Sequence, residues 1–361
     1  MDNLPVVGLA LGGIGGFNAH DAGVLAAAHE CDLQPSVITC TSGAIFWTYQ
    51  YLTNPEGIRA EVERQAQAVG GANALRVALT GDPGVFAPAY MSYWMRWMRP
   101  PDGPPVRDLL DRLFPAQIYQ STRPKEYFAA MADAFTATRI PIMFNAYAVR
   151  SGRELVFCND AAFAFLDRSP RQVRLHDIPG EDMSTEYRPI DSAAVQTALW
   201  LTLYGFSNEY EGETAIDGAY QRQLIMSELT SCDVIYAIKP QASAWRDRPP
   251  ANYFELQDFN TEMWFNTSFA AEVAGLRADT SRDAARGPIR IEPITMHRPL
   301  GYFNYFVEKL PYYTEGYEQA RHVFGRDRAA VDGSRRELAG RKGVRTSAKI
   351  HAGERSGNAS G

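Results

Sequence analysis

Ser42 stands between a β-branched run, Ser36 to Cys40 (SVITC), and an apolar stretch from Gly43 to Leu52, with small residues on either side. That is the sequence form of a nucleophile elbow, a sharp strand-to-helix turn that exposes a hydroxyl at a helix N-terminus. A plainer reading gives Thr41 or Ser42 only the task of capping the helix that begins at Gly43. Upstream, Gly12-Gly13-Ile14-Gly15-Gly16 closes the apolar run Leu4 to Leu11. A glycine turn between a strand and a helix aims several backbone N–H groups one way, and the helix N-terminus adds positive potential, so the pair makes an anion hole. Downstream, Asp217-Gly218-Ala219 follows Thr214-Ala215-Ile216 and places a carboxylate in a turn. Asp-Gly alone is a common turn signal.

Other chemistries fit less well. Gly13-Ile14-Gly15 loosely matches the start of a dinucleotide loop, but Asn18 stands where a third small residue belongs, and Cys40-Thr41-Ser42 ends the second strand where an acidic residue belongs. A nucleotide-binding oxidoreductase therefore ranks third among the readings. A histidine triad lacks its parts. Ser42 follows only two strands, His20 alone lies beside the glycine loop, and His29, His176, His297, His322 and His351 have no partner pattern. Cys31, Cys40, Cys158 and Cys232 are scattered without C-x-x-C spacing, which suggests neither a zinc site nor a disulfide framework and fits a reducing cytoplasm.

The elements that must hold these residues alternate. Strand, glycine loop, helix from Ala22 to Glu30, strand, Ser42 and helix predict an α/β domain with a mainly parallel sheet. Residues 57–115 read as a helical insertion covering the sheet, with the cluster Tyr90-Met91-Ser92-Tyr93-Trp94-Met95-Arg96-Trp97-Met98 inside it. That cluster suits core packing, a lid over an apolar pocket, or a peripheral contact with a membrane, where Trp and Tyr favour headgroup depth and Arg96 and Arg99 meet phosphate. Ile140 to Ala148 and Glu154 to Phe157 form a hairpin about Ser151-Gly152. Asp191 to Leu203 is predicted as a helix, Cys232 to Lys239 as a strand, and Tyr302 to His322 has helical periodicity. The expected organisation is one domain over 1–325, with an extension over about 241–325, and a disordered basic tail over 326–361. The tail has nine Lys or Arg against four Asp or Glu and few large apolar residues.

Composition bounds the partners. The chain has 361 residues, 45% hydrophobic and 22% charged, enough for a packed core. Its net charge of -6 weighs against nucleic acid as the main partner, which requires a large basic face. No apolar stretch approaches the ~20 residues of a spanning helix. Met1 to Asn18 carries Asp2 rather than a basic leader and reads as a buried strand plus loop.

Taken in order, glycine loop, Gly23-Val24-Leu25, Thr-Ser-small elbow and Asp-Gly-Ala resemble the motif set of patatin-like phospholipases, G-G-G-x-x-G with G-V-L, G-x-S-x-G, and D-G-G or D-G-A. Pro141 to Phe157 and Asp191 to Phe206 are similar to the family's hairpin and to the helix before its Asp strand. The resemblance spans roughly residues 5–240, with 57–115 unmatched. It implies a three-layer fold and a histidine-free dyad in which Ser42 attacks an ester carbonyl and Asp217 takes its proton. Backbone N–H groups around Gly13, Gly15 and Gly16 would hold the oxyanion, and neither metal nor organic cofactor is required. The substrate implied is a lipid carboxylic ester, cleaved by a phospholipase or esterase in the cytoplasm or peripherally at a membrane. Cys40 and Ala44 replace the elbow glycines, Ile14 and Asn18 interrupt the loop, and Tyr220-Gln221-Arg222 replaces the usual Asn-Pro. These departures make a catalytically inactive relative that binds acyl chains or a protein partner the alternative reading.

Overall fold

The computed structural model describes residues 5–13, 18–69, 74–82, 84–101, 103–176, 184–245, 248–281, 288–297 and 309–327. In chain order, β1 (Val7–Leu11) is followed by α1 (Asn18–Glu30), β2 (Val37–Cys40) and α2 (Ala44–Thr53). The insertion carries α3 (Ile58–Val69), α4 (Ala74–Thr80), β3 (Phe86–Pro88), α5 (Tyr90–Met98) and α6 (Pro105–Leu113), and ends at β4 (Tyr119–Ser121). Next come α7 (Lys125–Ala137), the hairpin β5 (Ile142–Ala148) and β6 (Arg153–Cys158), α8 (Asp160–Leu166), β7 (Val173–Leu175) and β8 (Ser184–Pro189). The chain continues through α9 (Ser192–Ala198), β9 (Glu209–Tyr210), β10 (Glu213–Asp217), β11 (Val234–Lys239), α10 (Tyr253–Ser281) and β12 (Arg290–Thr295). A further helix, α11, runs over 309–327.

The expected α/β architecture is observed. The main sheet has the order β12-β11-β1-β2-β5-β6-β8-β7, and β12, β11, β1, β2 and β5 are mutually parallel. Alternate residues of its strands enter two apolar clusters, one on each face. Leu9, Leu11, Ile38, Cys40 and Phe144 pack with α1, α2, α7 and α11, while Ala10, Val37, Met143 and Ala237 pack with α8 and α10. Helix, sheet and helix make three layers. Among the described residues no helix is long and apolar enough to cross a membrane.

Two boundaries and one packing role differ from the sequence reading. The helix expected over 191–203 stops at Ala198, because the Trp200 carbonyl accepts the Asp217 amide at 2.9 Å instead of continuing the helical ladder. Ile58 and Val62 of α3 belong to the main core beside α1, so the insertion does more than cover the sheet. At the far end α11 runs two residues into the segment read as tail, and Asp327 holds Arg290 at 2.6 Å and accepts the Tyr236 hydroxyl at 2.6 Å. Residues 328–361 lie outside the described residues.

Nearly all of α1 is buried, and α11 crosses it at glycine. A Cβ on Gly23 would lie 2.1 Å from the Tyr313 carbonyl oxygen. Gly23→Ala is therefore expected to force the helices apart and to cost about 1–3 kcal/mol, the range for overpacking a close contact. A chemical denaturation midpoint equal to wild type would disprove that crossing.

Candidate active site

Strand register brings the two candidate residues together. β2 pairs in parallel with one edge of β5, ending with Cys40 opposite Phe144. β10 approaches the same edge antiparallel, ending with Asp217 opposite Ala146. The carboxyl ends of β2 and β10 thus meet head on, about 7 Å apart along β5 at ~3.3 Å per residue. On the other side of β2, Leu11 of β1 is in register with Cys40. The turn after β1 follows, so that a Cβ on Gly13 would lie 1.9 Å from the Thr41 carbonyl oxygen and 2.5 Å from Ser42 Cβ. Only glycine allows that approach. Gly15 and Gly16, the other residues expected around an oxyanion, lie outside the described residues.

Ser42 has φ 54°, the left-handed conformation that a serine adopts at a cost and that recurs at strained strand-to-helix turns. It does not cap α2. The cap position is Gly43, which has no side-chain cap hydrogen bond, while the Ser42 carbonyl accepts the Ile45 amide at 3.0 Å. The hydroxyl is left for other work. Cys40, the substitute for the first elbow glycine, points into the helical face of the core, where its thiol donates to the Met143 carbonyl at 3.8 Å. Burial pushes that thiol up to about 12, so it stays protonated and is no nucleophile.

Asp217 is buried. Its Oδ1 accepts the Ala219 amide at 2.9 Å, and Oδ2 makes no closed hydrogen bond among the described residues. Burial pushes the carboxyl up from the ordinary carboxylate value to about 7, against the Ser42 hydroxyl and the Ala219 amide, which both favour the ionised form. The turn that carries Asp217 is anchored by groups the motif comparison counted as departures. Buried Arg222 donates to Glu154 (2.8 Å) and Glu228 (2.8 Å), and its carbonyl accepts Asn145 Nδ2 at 3.0 Å. Asn145 is the β5 residue between Phe144 and Ala146, so it stands in the gap where β2 and β10 meet.

Ser42 opens into a cleft with an internal volume of about 140 Å³. Its walls are apolar and aromatic, from Phe46, Trp47, Phe86, Tyr127, Phe128, Leu199, Trp200 and Tyr204. Lys309 and Asp82 form a buried ion pair of 3.1 Å in the wall, tying the start of α11 to the turn before β3. Arg123 lies over the Tyr127 ring, 4.2 Å from its centroid, and makes no ion pair among the described residues. Among the described residues no histidine lines the cleft. His20 is buried elsewhere, its pKa lowered to about 4 by burial, and is neutral at physiological pH. Sequence reasoning missed Arg123 and the Asp82–Lys309 pair. The pair joins positions 227 residues apart, and no local pattern marks either partner.

No protein-family model matches the chain, and no curated protein matches it in sequence. Among solved structures it is similar to VipD from Legionella pneumophila, with a TM-score of 0.38 and 11% identity over 89% of this chain and 66% of that one. It is also similar to human GIVD cytosolic phospholipase A2 in complex with methyl gamma-linolenyl fluorophosphonate, with a TM-score of 0.35 and 14% identity over 91% of this chain and 60% of that one. The chain spans less than two thirds of the length of each. At these values the chemistry rests on this chain's own residues.

Proposed function

We propose that the protein is a serine ester hydrolase of the patatin-like phospholipase type that cleaves carboxylic esters of lipids. The observation that carries this reading is the approach of the buried Asp217 carboxyl to Ser42, whose left-handed elbow lines an apolar cleft. Ser42 Oγ attacks the ester carbonyl carbon while Asp217 accepts its proton. The Gly13 turn offers backbone N–H groups to the oxyanion that forms. Collapse breaks the ester C–O bond, and Asp217 returns the proton to the departing alcohol. Water then attacks the acyl-enzyme, again with Asp217 as base, and the carboxylic acid leaves with Ser42 restored. The aromatic walls suit an acyl chain, and the Arg123 guanidinium, stacked on Tyr127 and without an ion pair among the described residues, suits an anionic part of the substrate.

A fluorophosphonate probe tests the reading directly, because it reacts only with an activated serine. Labelling is expected at the peptide that contains Ser42, read by mass spectrometry. Absence of labelling at Ser42 would leave a binding protein rather than an enzyme. The pH profile is a second test. A base must be ionised, so turnover of a soluble ester is expected to rise with pH through about 7 and to level off above it. A rate that is flat from pH 5 to 8 would remove Asp217 as the base.

A further inference from the structure

Most of the described apolar side chains lie in the sheet's two faces, but α5 and α6 bury none of theirs. On α5, Met91 is 73% exposed, Trp94 62% and Met98 74%, while Val106 of α6 is 72% exposed and Phe114, which follows α6, 75%. A soluble monomer rarely leaves so many large apolar side chains together in water. The two helices are held as one unit. Arg112 of α6 pairs with Asp108 at 2.7 Å, donates to the carbonyls of Trp97 and Arg99, and lies over the Trp97 ring.

We propose that the α5–α6 hairpin is a docking lobe for an anionic lipid surface, which delivers substrate to the Ser42 cleft. The partner is fixed by charge as well as by apolar area. Asp108 and Asp111 are committed to Arg112 and Arg107, whereas Arg96 and Arg99 pair with no carboxylate among the described residues. Two guanidinium groups without a carboxylate partner among the described residues, Arg96 donating only to the Asp111 carbonyl at 3.4 Å, lie among Trp, Tyr and Met and suit phosphate headgroups over acyl chains. Placement links the lobe to the cleft. It leaves the chain after β3 and returns at β4, and these strands pair Phe86 with Ser121, both of which line the cleft. The proposal rests on the reading of a lipid substrate, and it concerns residues within 57–115, the segment without a counterpart in the motif set.

Sedimentation of the full chain with vesicles of phosphatidylcholine alone or mixed with phosphatidylserine tests it, alongside hydrolysis of a short soluble ester. Wild type is expected to partition onto the mixed vesicles. Trp94→Glu with Met98→Glu should weaken that binding by about tenfold or more, since it places charge where apolar side chains enter the interface. Turnover of the soluble ester should not change, because both side chains are exposed and neither lines the cleft. Arg96→Gln with Arg99→Gln should remove the preference for the anionic vesicles. Three results overturn the proposal: wild type that stays in the supernatant, a Glu variant that binds like wild type, or a dimer in solution that the Glu variant abolishes while vesicles are ignored. Vesicle binding by a protein that hydrolyses no ester would support the lobe and count against the hydrolase, so the two readings fail separately.

Discussion

Ser42→Ala is expected to lower the turnover of short p-nitrophenyl esters by about 10⁴-fold, roughly 5.4 kcal/mol at ~1.36 kcal/mol per factor of ten, because the variant lacks the oxygen that attacks the ester. Cys40 is not a substitute, since its thiol faces the core and is held protonated. Labelling by a fluorophosphonate should vanish as well. The fold should survive, and the circular dichroism spectrum should match wild type, because the hydroxyl is not the cap of α2. Ser42→Gly makes a useful companion. Glycine accepts φ 54° without strain, so that variant should be equally inactive and at least as stable. Full activity in either variant would remove Ser42 from the mechanism, and full activity with Cys40→Ser inactive would transfer the role to the thiol.

Asp217→Asn should be nearly as damaging, at about 10²–10⁴-fold, because the amide keeps the acceptor for the Ala219 amide but cannot take a proton from Ser42. Stability should move the other way. The folded carboxyl titrates near 7 and the unfolded one near the ordinary value, so between those limits the native state holds a proton that the unfolded chain has released. The stabilisation from that proton is fully present below the unfolded value and is lost as pH rises through about 7. At pH 8 the native state carries a buried ionised carboxylate, a cost that asparagine avoids. Asp217→Asn is therefore expected to melt higher than wild type at pH 8 and to lose that advantage at pH 4. A rate within about tenfold of wild type, about 1.4 kcal/mol of barrier, would make Asp217 a turn residue only.

The departures from the motif pattern have different physical meanings. Cys40 fills a core position below the elbow, and the turn above it still holds Ser42 in a left-handed conformation. Arg222 replaces a short turn residue with a buried cation that ties the Asp217 turn to Glu154 of β6 and to Glu228. That anchor was hidden in the sequence because a lone arginine after an aspartate turn says nothing of the Glu154 carboxylate 68 residues upstream. α10 and β12 were hidden as well. α10 has charged and apolar residues on all sides and covers the second face of the sheet with only a few of them, including Leu276. β12 contains Pro293 and the charged Arg290 and Glu292, which blur the strand pattern in the sequence, but as the last strand beside β11 it tolerates both.

By itself the sequence determined the layer pattern, since β-branched runs alternating with alanine-rich helices have one compact arrangement, a mainly parallel sheet between helices. It also marked Ser42, Gly13 and Asp217 as turn residues at strand ends, because small residues and an abrupt change of apolar period can be read locally. Tertiary structure alone decided that these turns meet. Their proximity depends on β2 and β10 reaching the same edge of β5 from opposite directions, with Asn145 between their ends, and registers between strands distant in the chain leave no local trace. The same holds for the carboxyl of Asp217, whose titration near 7 follows from the burial that this packing creates, and for the exposed lobe, whose aromatic cluster reads the same whether it faces a core or water.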